Sequence, residues 1–245
     1  MNKKIFSENC NLSSFTTIKV GGVAEYFAEP RNTDEFSFLI KWANLNKHKC
    51  QIIGAGSNLL INNIFIKGLV ICTKKMKTLA IEPYSGIVEA EAGVMLPTLS
   101  NSLAKKRLQG GEWAVGIPGT LGGAIYMNAG TGSLSLAKNL ISVKVINNKT
   151  NEQLEIEKKD IDFEYRFSSF QSNDLAIISA KLHFEPNGNL EQLIKTTKNN
   201  LKLKTETQPY HLPSFGSVFK NPENNYAAKL IDDLGLKGFK IGGAE

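Results

Sequence analysis

The sequence predicts an α+β fold in two units, and three observations carry that expectation. Short β-type runs, divided by glycine or asparagine, are mixed with segments of helical periodicity through the first part of the chain. At Pro186-Asn187-Gly188-Asn189 the chain is punctuated and the pattern turns helical. The length of 245 residues, 42% of them hydrophobic, allows one large or two modest domains at ~150 residues each. A core of that size folds without disulfides or metal. The boundary is expected near residue 187, dividing the chain into 1–186 and 187–245.

Residues 34–47 read as a helix. Thr33 caps it, Asp34 and Glu35 occupy its first turn, and Phe36, Leu39, Ile40 and Ala43 form one apolar face. β-type runs follow at 51–53, 59–61, 69–72 and 87–92. Helical periodicity returns over 97–108, with Leu96, Leu99 and Leu103 on a stripe, and 124–128 is compatible with a short helix. Segments 140–146 and 153–156 read as a hairpin around Asn147-Asn148-Lys149-Thr150. Residues 175–184 alternate as a strand. Beyond the boundary, Leu190, Leu193, Ile194 and Leu201 mark one helix and residues 226–234 another, ended by Gly235. The last ~60 residues are few for an independent core. Residues 238–245 carry neither a terminal helix nor a polar tail, so the sequence is expected to stop inside a domain.

Composition excludes several classes. With 29 Lys and Arg against 23 Asp and Glu, the net charge is +6, but the lysines are scattered in short runs with few aromatics beside them. No stacking platform for single strands results, and Arg, the residue of bidentate base reading, is scarce, so no nucleic-acid partner is expected. The basic balance does suit a small anionic substrate. No apolar run approaches the ~20 residues of a membrane span, and the N-terminus lacks the apolar stretch of a signal peptide. Three widely spaced cysteines, Cys10, Cys50 and Cys72, make no disulfide framework and no metal site. A soluble cytoplasmic protein with no metal is expected.

Two glycine-rich loops stand out. The first follows the β-type run 51–53 and contains Gly54, Gly56, Ser57, Asn58 and Leu59. Glycines let amide N–H groups approach an anion closely, and Ser57 and Asn58 add side-chain donors. A dinucleotide fingerprint would need a third glycine where Leu59 stands, so that motif fails. Taken alone, this loop is more simply a tight β-turn. The second loop contains Gly116, Pro118, Gly119, Thr120, Gly122, Gly123 and, at its end, Asn128 and Gly130. It offers successive N–H groups and a helix N-terminus to phosphates, or a surface on which a flat ring can lie. Together the two suggest a bulky diphosphate cofactor.

In Tyr165-Arg166-Phe167-Ser168-Ser169-Phe170 an arginine among aromatics is shielded and could pin a carboxylate, or could bond strand-end carbonyls. Ser217, within Gly216-Ser217-Val218-Phe219-Lys220-Asn221-Pro222, could donate a proton to something basic enough; by itself it reads as a turn serine. His48, His183 and His211 form no credible triad with serine and aspartate, so demanding chemistry would need a cofactor.

These stretches, in order along nearly the whole chain and together with residues 14–22 and 230–243, resemble the UDP-N-acetylenolpyruvoylglucosamine reductase (MurB) family. The resemblance implies FAD held between two α+β subdomains of the vanillyl-alcohol-oxidase (PCMH) type, followed by a substrate domain beginning near residue 187. It implies cofactor contacts from both glycine loops and hydride supplied by NADPH. The substrate implied is UDP-N-acetylglucosamine enolpyruvate, reduced to UDP-N-acetylmuramate for peptidoglycan. Arg166 matches the arginine that stabilises the developing enolate, and Ser217 the serine that protonates it. Tyr165, Lys204 and Asn221 match substrate contacts. Thr131-Gly132-Ser133 departs from the family pattern after Gly130, and the short span from Arg166 to Ser217 resembles the branch lacking an extra substrate-covering loop. The third catalytic residue, a glutamate near the family C-terminus, has no counterpart, because Glu245 follows Gly242-Gly243-Ala244 too early. A truncated chain is therefore expected, acting as a monomer. The alternatives are an FAD-binding fragment without full reductase activity and another PCMH-type flavin oxidoreductase.

Overall fold

The computed structural model describes residues 5–62 and 64–245. It comprises two compact units, the first extending to Phe215 and the second spanning Gly216–Glu245. The boundary expected near residue 187 falls inside the first unit.

The first unit is built on two sheets. One has the order β1-β2-β4-β3, with β1 at Phe6–Asn11, β2 at Val23–Ala28, β3 at Cys50–Ile53 and β4 at Phe65–Cys72. β1 pairs antiparallel with β2, while β2 and β3 both run parallel to β4. A parallel pair cannot be closed by a tight hairpin, so residues 54–64 carry the chain from the end of β3 back to the start of β4. The expected strand at 59–61 lies in this return and pairs with no strand among the described residues; Leu60 is 66% exposed.

Helix α1, Thr33–Leu45, follows β2. Its cap is Asn32 rather than Thr33: the Asn32 side chain accepts from the Glu35 N–H at 2.9 Å. Phe36, Leu39, Ile40 and Ala43 are all buried, in one cluster with Ala28, Leu69 and Ile71 of the first sheet and Ile146, Ala176 and Ile178 of the second. The apolar face of α1 thus joins the two sheets.

The second sheet is antiparallel throughout, in the order β10-β9-β13-β6-β5. Its members are β5 at Leu79–Glu82, β6 at Ile87–Glu91, β9 at Leu140–Asn147, β10 at Gln153–Glu157 and β13 at Leu175–His183. The β9–β10 hairpin is closed by the Asn147 side chain, which accepts from the N–H groups of Lys149 and Thr150. Val143, Val145, Ala180 and Leu182 pack with Leu96, Leu99 and Leu103 of α2, Leu96–Lys105, and with Leu121 and Ile125 of α3, Leu121–Tyr126. Two-residue strands β7 and β8, Gly130–Thr131 and Leu134–Ser135, and β11 and β12, Phe163–Glu164 and Phe167–Ser168, form small hairpins.

Helix α4, Leu190–Thr207, is capped by Asn189 and buries Leu193 and Thr197. It packs on α2 and on the 3-10 turn Glu112–Gly116. These contacts make it part of the first unit although the sequence pattern changes before it. In the second unit α5, Ala227–Asp233, ends at Gly235, whose φ of +66° suits a residue without Cβ. Among the described residues no helix is long and apolar enough to cross a membrane.

Candidate functional site

The first glycine loop begins at the end of β3. Gly56 has φ +66°, and a Cβ on it would lie 2.1 Å from the Phe15 carbonyl oxygen, so backbone conformation and space both require glycine. Its carbonyl accepts from the Thr17 N–H at 3.2 Å. Gly54 meets the second loop: a Cβ there would lie 2.3 Å from Thr120 Oγ1. The Cys72 thiol donates to the Gly54 carbonyl at 3.3 Å. Among the described residues, the amide N–H groups of residues 54–57 have no hydrogen-bond partner. Gly56 and Ser57 are nonetheless buried, whereas Asn58 and Leu59 are exposed. A run of unpaired donors, two of them on buried residues, is costly unless an acceptor sits against it.

The second loop uses its amides differently. Thr120 caps α3, its hydroxyl accepting from the Gly123 N–H at 3.4 Å. The Leu121 N–H donates to Val94 O at 2.8 Å and the Gly122 N–H to Ala92 O at 2.9 Å. The first N–H groups of α3 are therefore committed within the fold, and this six-residue helix is not the phosphate-facing N-terminus that its sequence suggests. A Cβ on Gly122 would lie 2.9 Å from that of Ala92, so this glycine serves close packing. Gly119, at φ +133°, faces open space, and Pro118 is exposed. Gly116 is buried against the Lys204 stem: a Cβ would lie 2.5 Å from Lys204 Cγ.

At the other end of α3, Asn128 sits at φ +42° and donates through Nδ2 to Glu164 O at 2.9 Å, while its buried Oδ1 has no partner. Arg166, at φ +57°, is half-buried; its Nη2 donates to Gly130 O at 3.2 Å and its guanidinium lies 5.0 Å from the Tyr165 ring centroid. Both sequence readings of Arg166 thus survive. One donor serves a carbonyl, and the remaining fork has no carboxylate partner among the described residues. The contacts run from the first loop through Thr120 and α3, ~9 Å long at 1.5 Å per residue, to Asn128 and Arg166.

Ser217 and Asn221 belong to the second unit. Ser217 is exposed and follows Gly216 at φ +76°. Asn221 Oδ1 accepts from the Ala227 N–H at 3.1 Å, which ties residues before α5 to its first turn. Sequence reasoning missed Lys19 and Lys74. With Thr16, Thr17, Gly54 and Ala55 they line a cleft of about 90 Å³ beside the first loop, a cationic setting for an anion. Lys74 stands in one of the short lysine runs of the sequence, and only the β4 pairing brings it beside Gly54.

FAD fits this donor set. Unpaired buried amides and two lysines suit a diphosphate, and the orphaned Asn128 Oδ1 suits an N–H donor such as a flavin ring offers. An α+β fold that presents such a cradle defines the class, FAD-dependent oxidoreductases of the vanillyl-alcohol-oxidase type. The family model described as FAD binding domain matches residues 24–156. That described as UDP-N-acetylenolpyruvoylglucosamine reductase, C-terminal domain, matches residues 208–245. A UDP-N-acetylenolpyruvoylglucosamine reductase from Prochlorococcus marinus subsp. pastoris is 74% identical over 98% of this chain and 81% of its own length. Another, from Prochlorococcus marinus strain NATL2A, is 46% identical over 100% of this chain and 84% of its own. The chain belongs to the UDP-N-acetylenolpyruvoylglucosamine reductase family. The crystal structure of the Thermus caldophilus reductase superposes with a TM-score of 0.79 at 28% identity, over 95% of this chain and 81% of that one. A glucose oxidase variant of Phl p 4 shares the fold alone, with a TM-score of 0.57 at 11% identity over 76% of this chain and 42% of that one. The protein is thus an oxidoreductase whose cofactor is FAD.

Proposed function

We propose that this chain reduces UDP-N-acetylglucosamine enolpyruvate to UDP-N-acetylmuramate in peptidoglycan precursor synthesis, with NADPH as reductant. One arrangement carries the reading: an amide cradle joined through α3 to an arginine whose guanidinium has no carboxylate partner among the described residues. FAD, when bound, would supply the hydride chemistry that links the nicotinamide to the β-carbon of the enolpyruvyl group. Residues 54–57 would hold its diphosphate through their N–H groups, with Lys19 and Lys74 balancing the charge. Arg166 pins the substrate carboxylate and stabilises the negative charge that grows there as the alkene is reduced, a role suited to a preorganised cation. Its contact with Gly130 O fixes the fork before substrate arrives.

Ser217 supplies the proton that the α-carbon must gain. An alcohol is a weak acid, but an enolate-like carbon is basic enough to take its proton. Lys204, its stem laid on Gly116, carries its ammonium towards the phosphates of the sugar nucleotide, with Tyr165 and Asn221 as further contacts. In this reading the enzyme is a cytoplasmic monomer acting on small molecules.

Anaerobic mixing in two stages tests the proposal. NADPH should bleach the flavin absorbance of the FAD-loaded chain, and the enolpyruvyl nucleotide should then restore it. A bleached flavin that this nucleotide leaves bleached overturns the reading. Ser217→Ala should slow the second stage at least 100-fold, within the ~10²–10⁴ range of positioned proton transfer, while bleaching is kept. Equal loss in both stages removes Ser217 from the proton step.

A further inference from the structure

Residues 208–215, between α4 and the second unit, have no regular secondary structure and are largely exposed. Three hydrogen bonds nevertheless hold them. The Tyr210 phenol donates to Gly116 O at 3.0 Å, in the second glycine loop. The Ser214 N–H donates to Thr17 O at 3.3 Å, and Thr17 is itself bonded to Gly56. The Asn58 side-chain amide donates to Phe215 O at 2.8 Å, from the first glycine loop. These three anchors are a glycine loop or the segment bonded to one.

We propose that Tyr210 and Asn58 are positioning residues for the proton-donor hydroxyl, lashing residues 208–215 across both glycine loops so that Phe215, two residues before Ser217, is fixed by the loops that form the cofactor cradle. The inference rests on the reading of Ser217 given above. At 3.8 Å between successive Cα atoms, fixing Phe215 confines the Ser217 Cα to within ~7.6 Å of it. An unanchored linker would let that hydroxyl wander, and displacements of ~1 Å already slow positioned chemistry. Pro209 and Pro213 lie within the anchored stretch and stiffen it by fixing φ. Burial pushes the Tyr210 phenol above its ordinary range, so it remains a protonated donor through neutral pH. Asn58 acquires a second role here. Its Nδ2 serves the strap, while its backbone belongs to the loop that faces the cofactor.

A strap of purely structural value would affect every property of the holoenzyme together, whereas a positioning strap separates the two stages. Tyr210→Phe keeps the ring and removes only the hydroxyl. In the FAD-loaded full chain it should slow restoration of flavin absorbance by substrate about three- to tenfold, the equivalent of one hydrogen bond. Bleaching by NADPH should stay within twofold, and the solvent deuterium isotope effect on restoration should rise. In the apoprotein, amide hydrogen exchange over residues 208–215 should accelerate. Asn58→Ser, with a shorter side chain, should show the same faster exchange and slower restoration.

Restoration at the wild-type rate in both variants, or equal slowing of both stages, overturns the proposal. If Ser217→Ala restores normally, the proton-donor reading falls and this inference with it. If Ser217→Ala is slow while Tyr210→Phe is normal in rate and exchange, the positioning role alone falls.

Discussion

The two glycine loops look alike in sequence and do opposite things with their backbones. Among the described residues, the successive N–H groups of residues 54–57 have no protein partner, and two of them belong to buried residues. In the second loop, Leu121, Gly122 and Gly123 each give the N–H to Val94, Ala92 or Thr120. Gly56 in the first loop admits the Phe15 carbonyl while the N–H groups around it stay open, and the proposed function gives those to FAD; Gly122 in the second admits the Ala92 methyl. Glycine content therefore marks where backbones come close, and the destination of the N–H groups decides whether the neighbour is a ligand or the protein itself.

Single methyl groups should break that comparison, beginning with the largest effect. Gly56→Ala places a Cβ 2.1 Å from Phe15 O at a positive φ, and neither backbone can yield cheaply. A loss of about 3–5 kcal/mol is expected, with Tm lower by about 10 °C and no flavin retained through gel filtration. Flavin retained at wild-type stoichiometry would show that the loop is not the cradle.

Gly122→Ala should be milder. Its Cβ would meet Ala92, the methyl at 2.9 Å and the carbonyl oxygen at 3.3 Å. Overpacking of about 1–3 kcal/mol is partly offset by ~1 kcal/mol of gained helix propensity. A Tm drop of a few degrees with unchanged FAD affinity is expected, measured by flavin fluorescence quenching. Thr120→Ala, which removes the α3 cap, should cost about 1 kcal/mol, and more affinity than Gly122→Ala because Thr120 also touches Gly54. If Gly122→Ala weakens FAD binding more than Thr120→Ala does, the two loops do not divide their labour in this way.

How much of this was legible beforehand depends on how local each cause is. The α1 face of Phe36, Leu39, Ile40 and Ala43, and the hairpin closed by Asn147, follow from periodicity and turn chemistry within a few residues, and the structure has both. Strand β1, Phe-Ser-Glu-Asn-Cys-Asn, carries almost no apolar alternation, and only its pairing with β2 makes it a strand. Residues 59–61 have the apolar composition of a strand but lie in the return between two parallel strands. Helix α4 follows a strong turn signal, yet the burial of Leu193 and Thr197 ties it to the preceding unit. In the candidate site, both loops and Arg166 could be singled out because glycine and arginine chemistry is local. The partners of the Gly122 and Leu121 N–H groups were not readable, because Ala92 and Val94 lie 30 and 27 positions earlier and only the fold brings them there.

The smallest expected effect is a difference in thiol labelling, and it reports on the first loop without any substitution. Cys72 is buried, and its thiol donates to the Gly54 carbonyl, so alkylation requires that edge of the loop to open. Cys50, at the start of β3, touches neither glycine loop and serves as an internal control. Burial raises both thiols, Cys50 to about 12, and the thiolate is the reacting form. Labelling should therefore be slow at pH 8 and speed up as pH rises. Cys10 should react first: it is more exposed, and burial raises its thiol as well. A folded value above the unfolded one also fixes the sign for stability. The Cys50 contribution is complete below its ordinary value near 9 and declines as pH climbs from there towards 12. If FAD grips the first loop, saturating FAD should slow alkylation of Cys72 several-fold more than that of Cys50, read by mass spectrometry of each peptide. Equal protection of the two thiols would mean that FAD stabilises the unit as a whole and that the open amides of residues 54–57 are not where it is held.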